Sequence, residues 1–298
     1  MKAITNIIPS KILMPFRREI WEYQKSFVGT FAGVSALVLV VLLYAIFHVS
    51  GFIEQTPDFE ITIEGQATPI HDFNFRIATA GYLSFIGFIS LIVSVYYMLS
   101  SLFDDRRDRS ILFWKSMPVS ETQAVLTKLA TGLFVIPLIA LAIGALSLVI
   151  NVLVVSLWLP AYTPLSFLHI WSGAEIFSAV WYEVVFIAVT GVWLAPFFAW
   201  FMFASAFSKK SPFLIAFIPP LVFTLFEKMF LGSATLIKMI GAYLPDFHLI
   251  QHTMADFDSV LQQQLKVFLI GPEIVYGLVV TVILTVASIW LRNNRYEI

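Results

Sequence analysis

The chain has 298 residues, 59% of them apolar and 12% charged, with a mean hydropathy of +0.87. Soluble chains carry about 25% charged residues, so this composition belongs to an integral membrane protein built as one multi-span domain over residues 1–298. A net charge of −1 gives no sign of a nucleic-acid partner or of a broad basic membrane patch, and the lack of Cys excludes disulfides, thiolate metal sites and Cys nucleophiles.

The first 26 residues have no long apolar run and no small-residue cleavage site, so they do not read as a signal peptide. From Pro15 onward, Phe16, Ile20, Tyr23 and Phe27 recur at helical spacing, while Arg17, Arg18, Glu22 and Lys25 take the other face. Residues 1–26 are therefore expected to form an interfacial amphipathic helix, either a plain anchor or an elbow that leans on a cytoplasmic partner.

A spanning helix needs about 20 mostly apolar residues. Six stretches qualify: 27–52, 80–103, 129–158, 177–207, 213–230 and 272–291. The expected fold class is all-α, with six transmembrane helices. Gly29 and Gly33 form a G-x-x-x-G in the first span, a pattern suited to close helix contact.

Lys and Arg fix the orientation. Lys2, Lys11, Arg17, Arg18 and Lys25 precede the first span, and Arg106, Arg107, Arg109, Lys115 and Lys128 fall between spans two and three. Lys209, Lys210, Arg292 and Arg295 fall on the same side, making fourteen of the 18 basic residues. Glu54, Asp58, Glu60, Glu64 and Asp72 lie opposite, accompanied by Arg76. Both termini are thus expected in the cytoplasm.

Residues 104–121 read DDRRDRSILFWKSMPVSE. Asp104 and Asp105 are expected to open a short surface helix, with Asp105 placed four residues before Arg109. Ile111, Leu112 and Trp114 supply its apolar bulk and Pro118 ends it. Ser120 and Gln123 then fit a capping box that starts the helix of the third span.

On the other side, residues 231–271 make a long connection. Residues 231–243 are apolar with two glycines and are expected to dip into the interface. Met254, Phe257, Leu261, Leu265 and Phe268 then predict a short amphipathic or re-entrant helix before the sixth span.

Charges within spans are costly and are functional candidates by default. Glu183, Glu227 and Lys228 are the clearest, and Pro219 and Pro220 in the fifth span, with Pro196 in the fourth and Pro137 in the third, are expected helix kinks. Glu183, Glu227, Lys228, Pro219 and Pro220 are the substrate or gating candidates. His248 and His252 stand four apart, but two ligands do not make a metal site, so no metal is assigned. G-x-x-x-x-G-K-[ST], H-E-x-x-H, G-x-G-x-x-G and G-x-S-x-G are all absent, and no catalytic residue is assigned.

The run ILFWKSMPVSETQAVLTKLATG resembles the cytoplasmic loop of ABC-2 type permeases, the membrane subunits of bacterial ABC exporters. The matching residues are Asp108, Leu112, Phe113, Ser116, Pro118, Val119, Ser120 and Lys128, while Ser110, Ile111, Trp114 and Lys115 depart from the common pattern. The six-span plan, the basic amphipathic start and the outer helical segment fit the same family. The resemblance implies that residues 104–118 are a coupling helix seated in a separate nucleotide-binding ATPase subunit. Asp104, Asp105, Arg106, Arg107, Asp108, Arg109, Leu112, Phe113, Trp114, Ser116 and Pro118 would make that dock. It further implies a permease homodimer in a bacterial cytoplasmic (inner) membrane, no cofactor bound by this chain, and ATP and Mg in the partner. The chain itself would be a transport subunit and not an enzyme. Its cargo is expected to be amphiphilic or lipid-like. The alternative is a non-transporting scaffold or immunity and signalling protein that uses the same dock; a secondary carrier and an intramembrane enzyme stand behind it.

Overall fold

A computed structural model describes residues 10–55, 60–63, 66–69, 74–108, 120–161, 165–233, 235–243 and 272–294. Helices α1 (Ser10–Glu22) and α2 (Gln24–Gln55) are followed by strands β1 (Glu60–Ile63) and β2 (Gln66–Pro69). Then come α3 (Phe75–Arg107), α4 (Glu121–Ala130), a π turn (Thr131–Val135), α5 (Ile136–Trp158) and a short 3-10 turn (Leu159–Ala161). The chain continues through α6 (Phe167–Ala174), α7 (Ile176–Trp193), α8 (Ala195–Phe207) and α9 (Pro212–Phe226), with a second π turn at Glu227–Leu231. Helices α10 (Thr235–Tyr243) and α11 (Pro272–Asn294) complete the described chain.

Six helical segments are long and apolar enough to cross a membrane: Gln24–His48, Phe75–Arg107, Glu121–Ala161, Phe167–Trp193, Pro212–Leu231 and Ile274–Asn294. This is a multi-pass membrane protein. Large apolar side chains such as Phe47, Leu146, Leu157, Met229 and Val282 are exposed along these segments, an arrangement that hydrocarbon accepts and water penalises.

The all-α expectation holds, with one small antiparallel hairpin beside the helices, in which Ile61 pairs with Thr68 and Ile63 with Gln66. Two other sequence expectations are corrected. The fourth span does not run to residue 207: the helix stops at Trp193, and Pro196 stands in the first turn of α8, where a missing N–H costs nothing. Asp104 and Asp105 do not open a helix; they lie in the last turn of α3, which continues unbroken from the second span. A Cβ placed at Gly29 or Gly33 would meet nothing within 4 Å among the described residues.

Pro137 follows closely on the π turn. It has no N–H to give to Leu133, and the chain widens just before it, with the Ile136 amide donating five residues back to the Thr131 carbonyl. Within this turn Gly132 faces Met98, whose terminal methyl would lie 2.3 Å from any Cβ placed there. Any larger residue at 132 would require the end of the Met98 side chain to move.

The described chain divides into two compact units. The first comprises Met1–Gln24, Leu91–Pro137 and Ile187–Ile298. In it α11 packs along α8, on which Ala199, Ala204, Ser205 and Ala206 are all buried. Helix α9 packs on α8 through Ala216, Phe201, Phe217 and Ile215. Pro220 cannot donate to the Ala216 carbonyl one turn back, and the Trp200 indole N–H donates to that oxygen instead, at 2.9 Å.

The second unit comprises Lys25–Ser90 and Leu138–Phe186. Its core gathers Phe75, Leu159, Leu165, Ile170 and Ala174. Ser166 caps α6 by accepting the His169 amide at 3.2 Å, and the Trp171 indole donates to Ser156 on α5 at 3.1 Å. Glu175 ends α6 in the left-handed region, at φ 44°, and its carboxylate pairs with Arg76 at 3.5 Å.

Candidate functional site

The charged segment singled out by the sequence is rooted in α3 and α4, and both roots enter one buried ion network inside the first unit. Lys128 Nζ lies 2.8 Å from Glu19 Oε1 and 3.4 Å from Asp105 Oδ1. Arg292 Nη1 lies 3.0 Å from Asp105 Oδ2, and its Nε donates to Glu121. The Tyr97 hydroxyl donates to the second Glu19 oxygen at 2.6 Å. Lys128 and Glu19 are fully buried, and Arg292 and Asp105 nearly so, at 1% and 2% exposure. Four helices, α1, α3, α4 and α11, are thereby tied through five charged side chains.

Local sequence places each member. Asp105 follows Ser94, Met98 and Ser101 on the buried stripe of α3, at steps of three and four. Lys128 follows Ala124 and Val125 on α4, and Arg292 follows Thr285 and Ser288 on α11. Glu19 stands between Phe16 and Tyr23 on the inward stripe of α1. Two further devices fix the ends of this stripe: Ser120 caps α4 by accepting the Gln123 amide at 3.1 Å, and the Tyr23 and Tyr97 rings meet edge to face at 5.1 Å.

The electrostatics follow from the termini. Asp104 and Asp105 sit at the carbonyl end of α3, where the helix dipole disfavours negative charge. Lys128 and Arg292 answer Asp105, and Arg107 answers Asp104 at 3.5 Å. A buried ion pair loses hydration on both sides and holds only when every charge has partners. At the rim, burial pushes the Glu22 carboxyl above its ordinary value, against the opposing pull of Lys128. Burial, and then the nearby Glu19 carboxylate, raise the Tyr23 phenol.

The expected docking residues therefore separate. Asp105 is committed to the network. Arg106 donates to the Leu102 carbonyl at 3.3 Å and to the Ser205 carbonyl, and Ser205 Oγ in turn accepts the Leu102 and Phe103 amides. Arg107 and Asp108 are exposed and paired to each other at 3.1 Å, with Asp104 half-buried beside them. Arg109, Leu112, Phe113, Trp114, Ser116 and Pro118 lie outside the described residues, as do His248, His252 and the helix expected around residues 254–268.

The substrate or gating candidates are scattered over both units. Glu227 is buried and structural: its carboxylate accepts from Ser233 Oγ at 2.8 Å and from the Thr235 amide, closing the turn into α10. Lys228 is exposed, Pro219 is exposed and Pro220 half-buried on α9. Glu183 lies over Gly87 of α3, where a Cβ would come 2.8 Å from its Oε1, and it makes no hydrogen bond among the described residues. No cluster of three or more His, Cys, Asp or Glu with metal-binding geometry occurs among the described residues.

Sequence reasoning missed Glu19 and Arg292 as site residues and read Lys128 as a loop charge and as a residue of the loop resemblance, not as a buried partner. The signal was present in each helix as a charged side chain standing on the stripe of apolar or small residues. Comparison with known protein families, with curated proteins and with solved structures finds no match to this chain.

Proposed function

We propose that this chain is the membrane-spanning permease subunit of an ATP-driven ABC-2 type exporter in a bacterial cytoplasmic membrane, with both termini in the cytoplasm. ATP and Mg are handled by a separate nucleotide-binding subunit, and two permease copies pair with two such subunits. The reading rests on the loop resemblance, and one observation supports it most directly. Both roots of the segment 104–121 are tied by buried charges to the same Arg292, and through Lys128 to Glu19 on α1.

Such an anchor suits a mechanical role. A docked surface segment transmits movement only if its ends are stiffly joined to the helices that must move, and a desolvated ion network resists distortion because a charge pulled from its partner would be left buried and uncompensated. Displacing the segment would load α3 through Asp105 and α4 through Glu121 and Lys128 together. The exposed Arg107 and Asp108 beside it remain for registering a partner surface, while Phe113 and Trp114 carry the apolar contact.

Copurification from the native membrane should recover a nucleotide-binding ATPase. F113A/W114A should lose that partner while keeping the wild-type melting midpoint. ATP-dependent movement of cargo by the reconstituted complex supports transport. Retention of the ATPase with no cargo movement would instead favour the scaffold or signalling reading.

A further inference from the structure

Residues 1–25 hold five basic side chains and two acids, Glu19 and Glu22. The fold makes the outward balance more basic than that count. Glu19 is fully buried, held by Lys128 at 2.8 Å and by the Tyr97 hydroxyl at 2.6 Å, and Glu22 pairs with Arg18 at 3.7 Å. Arg17 is left over. It is exposed, its guanidinium lies 5.4 Å from the centre of the Trp21 ring, and it forms no ion pair among the described residues.

Met14, Arg17 and Trp21 follow one another at steps of three and four, so they form one stripe of α1, on the side of the helix opposite Glu19. Met14 and Trp21 are 65% and 69% exposed, which makes this an apolar face whose one free charge is a cation. A single residue, Tyr23, separates α1 from α2, which carries the first segment able to cross a membrane, so the stripe stands at the bilayer surface. Water penalises the bare Met and Trp there, and acyl chains reject the guanidinium. The head-group zone accepts all three: Trp lies at its level, and the Arg stem runs along apolar surface while its planar fork meets a phosphate. Net negative charge on the lipid adds about 1 kcal/mol for each basic residue near the surface, which a zwitterionic head group does not supply.

We propose that the outer stripe of α1 is a binding surface for an anionic phospholipid, with the lipid phosphate on Arg17 and the glycerol and upper acyl region against Trp21 and Met14. The opposite face of the same helix is fastened to α3 and α4 through Glu19, so the lipid sits on an element fixed to the buried ion network. The surface needs a membrane and no transport cycle, and stands or falls apart from the exporter reading.

The test uses the full chain in phosphatidylcholine nanodiscs doped with phosphatidylglycerol that carries a photoactivatable diazirine beside its glycerol. The phosphatidylcholine analogue of the probe is the comparison, and labelled peptides are identified by mass spectrometry. The anionic probe should label peptides covering residues 14–22 saturably and be displaced by unlabelled phosphatidylglycerol but not by inorganic phosphate. Labelling should weaken between about 0.1 and 1 M salt, as the screening length falls from about 10 to about 3 Å. Arg17→Gln should lower the apparent affinity about fivefold, Arg17→Lys should keep most of it, and Trp21→Ala should weaken both probes. Arg17 and Trp21 face outward, so these variants should keep the wild-type melting midpoint. Equal labelling by the two probes, or labelling indifferent to Arg17→Gln, would overturn the proposal and leave α1 a plain anchor. Displacement by inorganic phosphate would overturn it in favour of a soluble anion. Labelling of the purified chain that is absent in native membranes, where partners are kept, would overturn it by assigning the stripe to a protein contact.

Discussion

Lys128 and Glu19 meet at 2.8 Å with neither side chain reachable by solvent, although one belongs to the helix entering the third span and the other to α1, near the amino terminus. The pair joins α1 to the helices that carry the charged segment. Lys128→Met keeps the bulk but strands Glu19 and Asp105 without their shared cation. The expected cost is about 3–5 kcal/mol, the range for breaking a buried pair from one side. The double variant E19Q/K128M should recover part of it, because fewer uncompensated charges remain. Thermal unfolding in detergent reads both, and a K128M midpoint equal to that of the wild type would remove the network from the stability of this unit.

Trp200 and Pro220 form a second testable pair. The indole N–H serves the Ala216 carbonyl that Pro220 leaves without its helical donor. Trp200→Phe should cost about 1–3 kcal/mol by orphaning that oxygen. In a P220A background the backbone N–H returns, and the same Trp200→Phe change should cost clearly less. Equal costs in the two backgrounds would show that Trp200 acts by packing alone.

Glu227 is expected to matter for structure and not for cargo. Glu227→Ala removes the acceptor for Ser233 and Thr235, and hydrogen exchange at the α10 amides should lose about 1.5–3 kcal/mol of protection per charged hydrogen bond. Glu227→Gln retains an acceptor and should lose less. If α10 exchanges in E227A as it does in the wild type, the carboxylate does not hold this turn.

Several of these relationships were visible in part along the chain. Each span was legible from twenty or so apolar residues, because lipid demands a closed helix and leaves no alternative. The ends were not legible. Hydropathy fades where charges begin, so α3 was expected to stop near residue 103, yet it continues to Arg107, with Asp105 in its last turn neutralised by Lys128 and Arg292 and Asp104 by Arg107. The fourth span was drawn too long for the converse reason. Residues 194–207 are as apolar as the span before them, and only the turn at Leu194 with Pro196 behind it separates two helices.

The candidate site shows the same division. DDRRDR announced itself by charge density, but density said nothing about which charges face inward. Asp105 and Asp104 are neighbours in sequence, and one is nearly sealed from solvent while the other is half-buried.

The sequence alone determined the solvent, the number of spans and the apolar stripe of each helix, since these depend on composition and on a period of 3.6 residues. Tertiary structure decided which charges meet. Glu19, Asp105, Lys128 and Arg292 come from four helices, and ions of opposite sign are stable in a desolvated site only when the packing of those helices brings them within contact. The spacing along any one helix cannot carry that information.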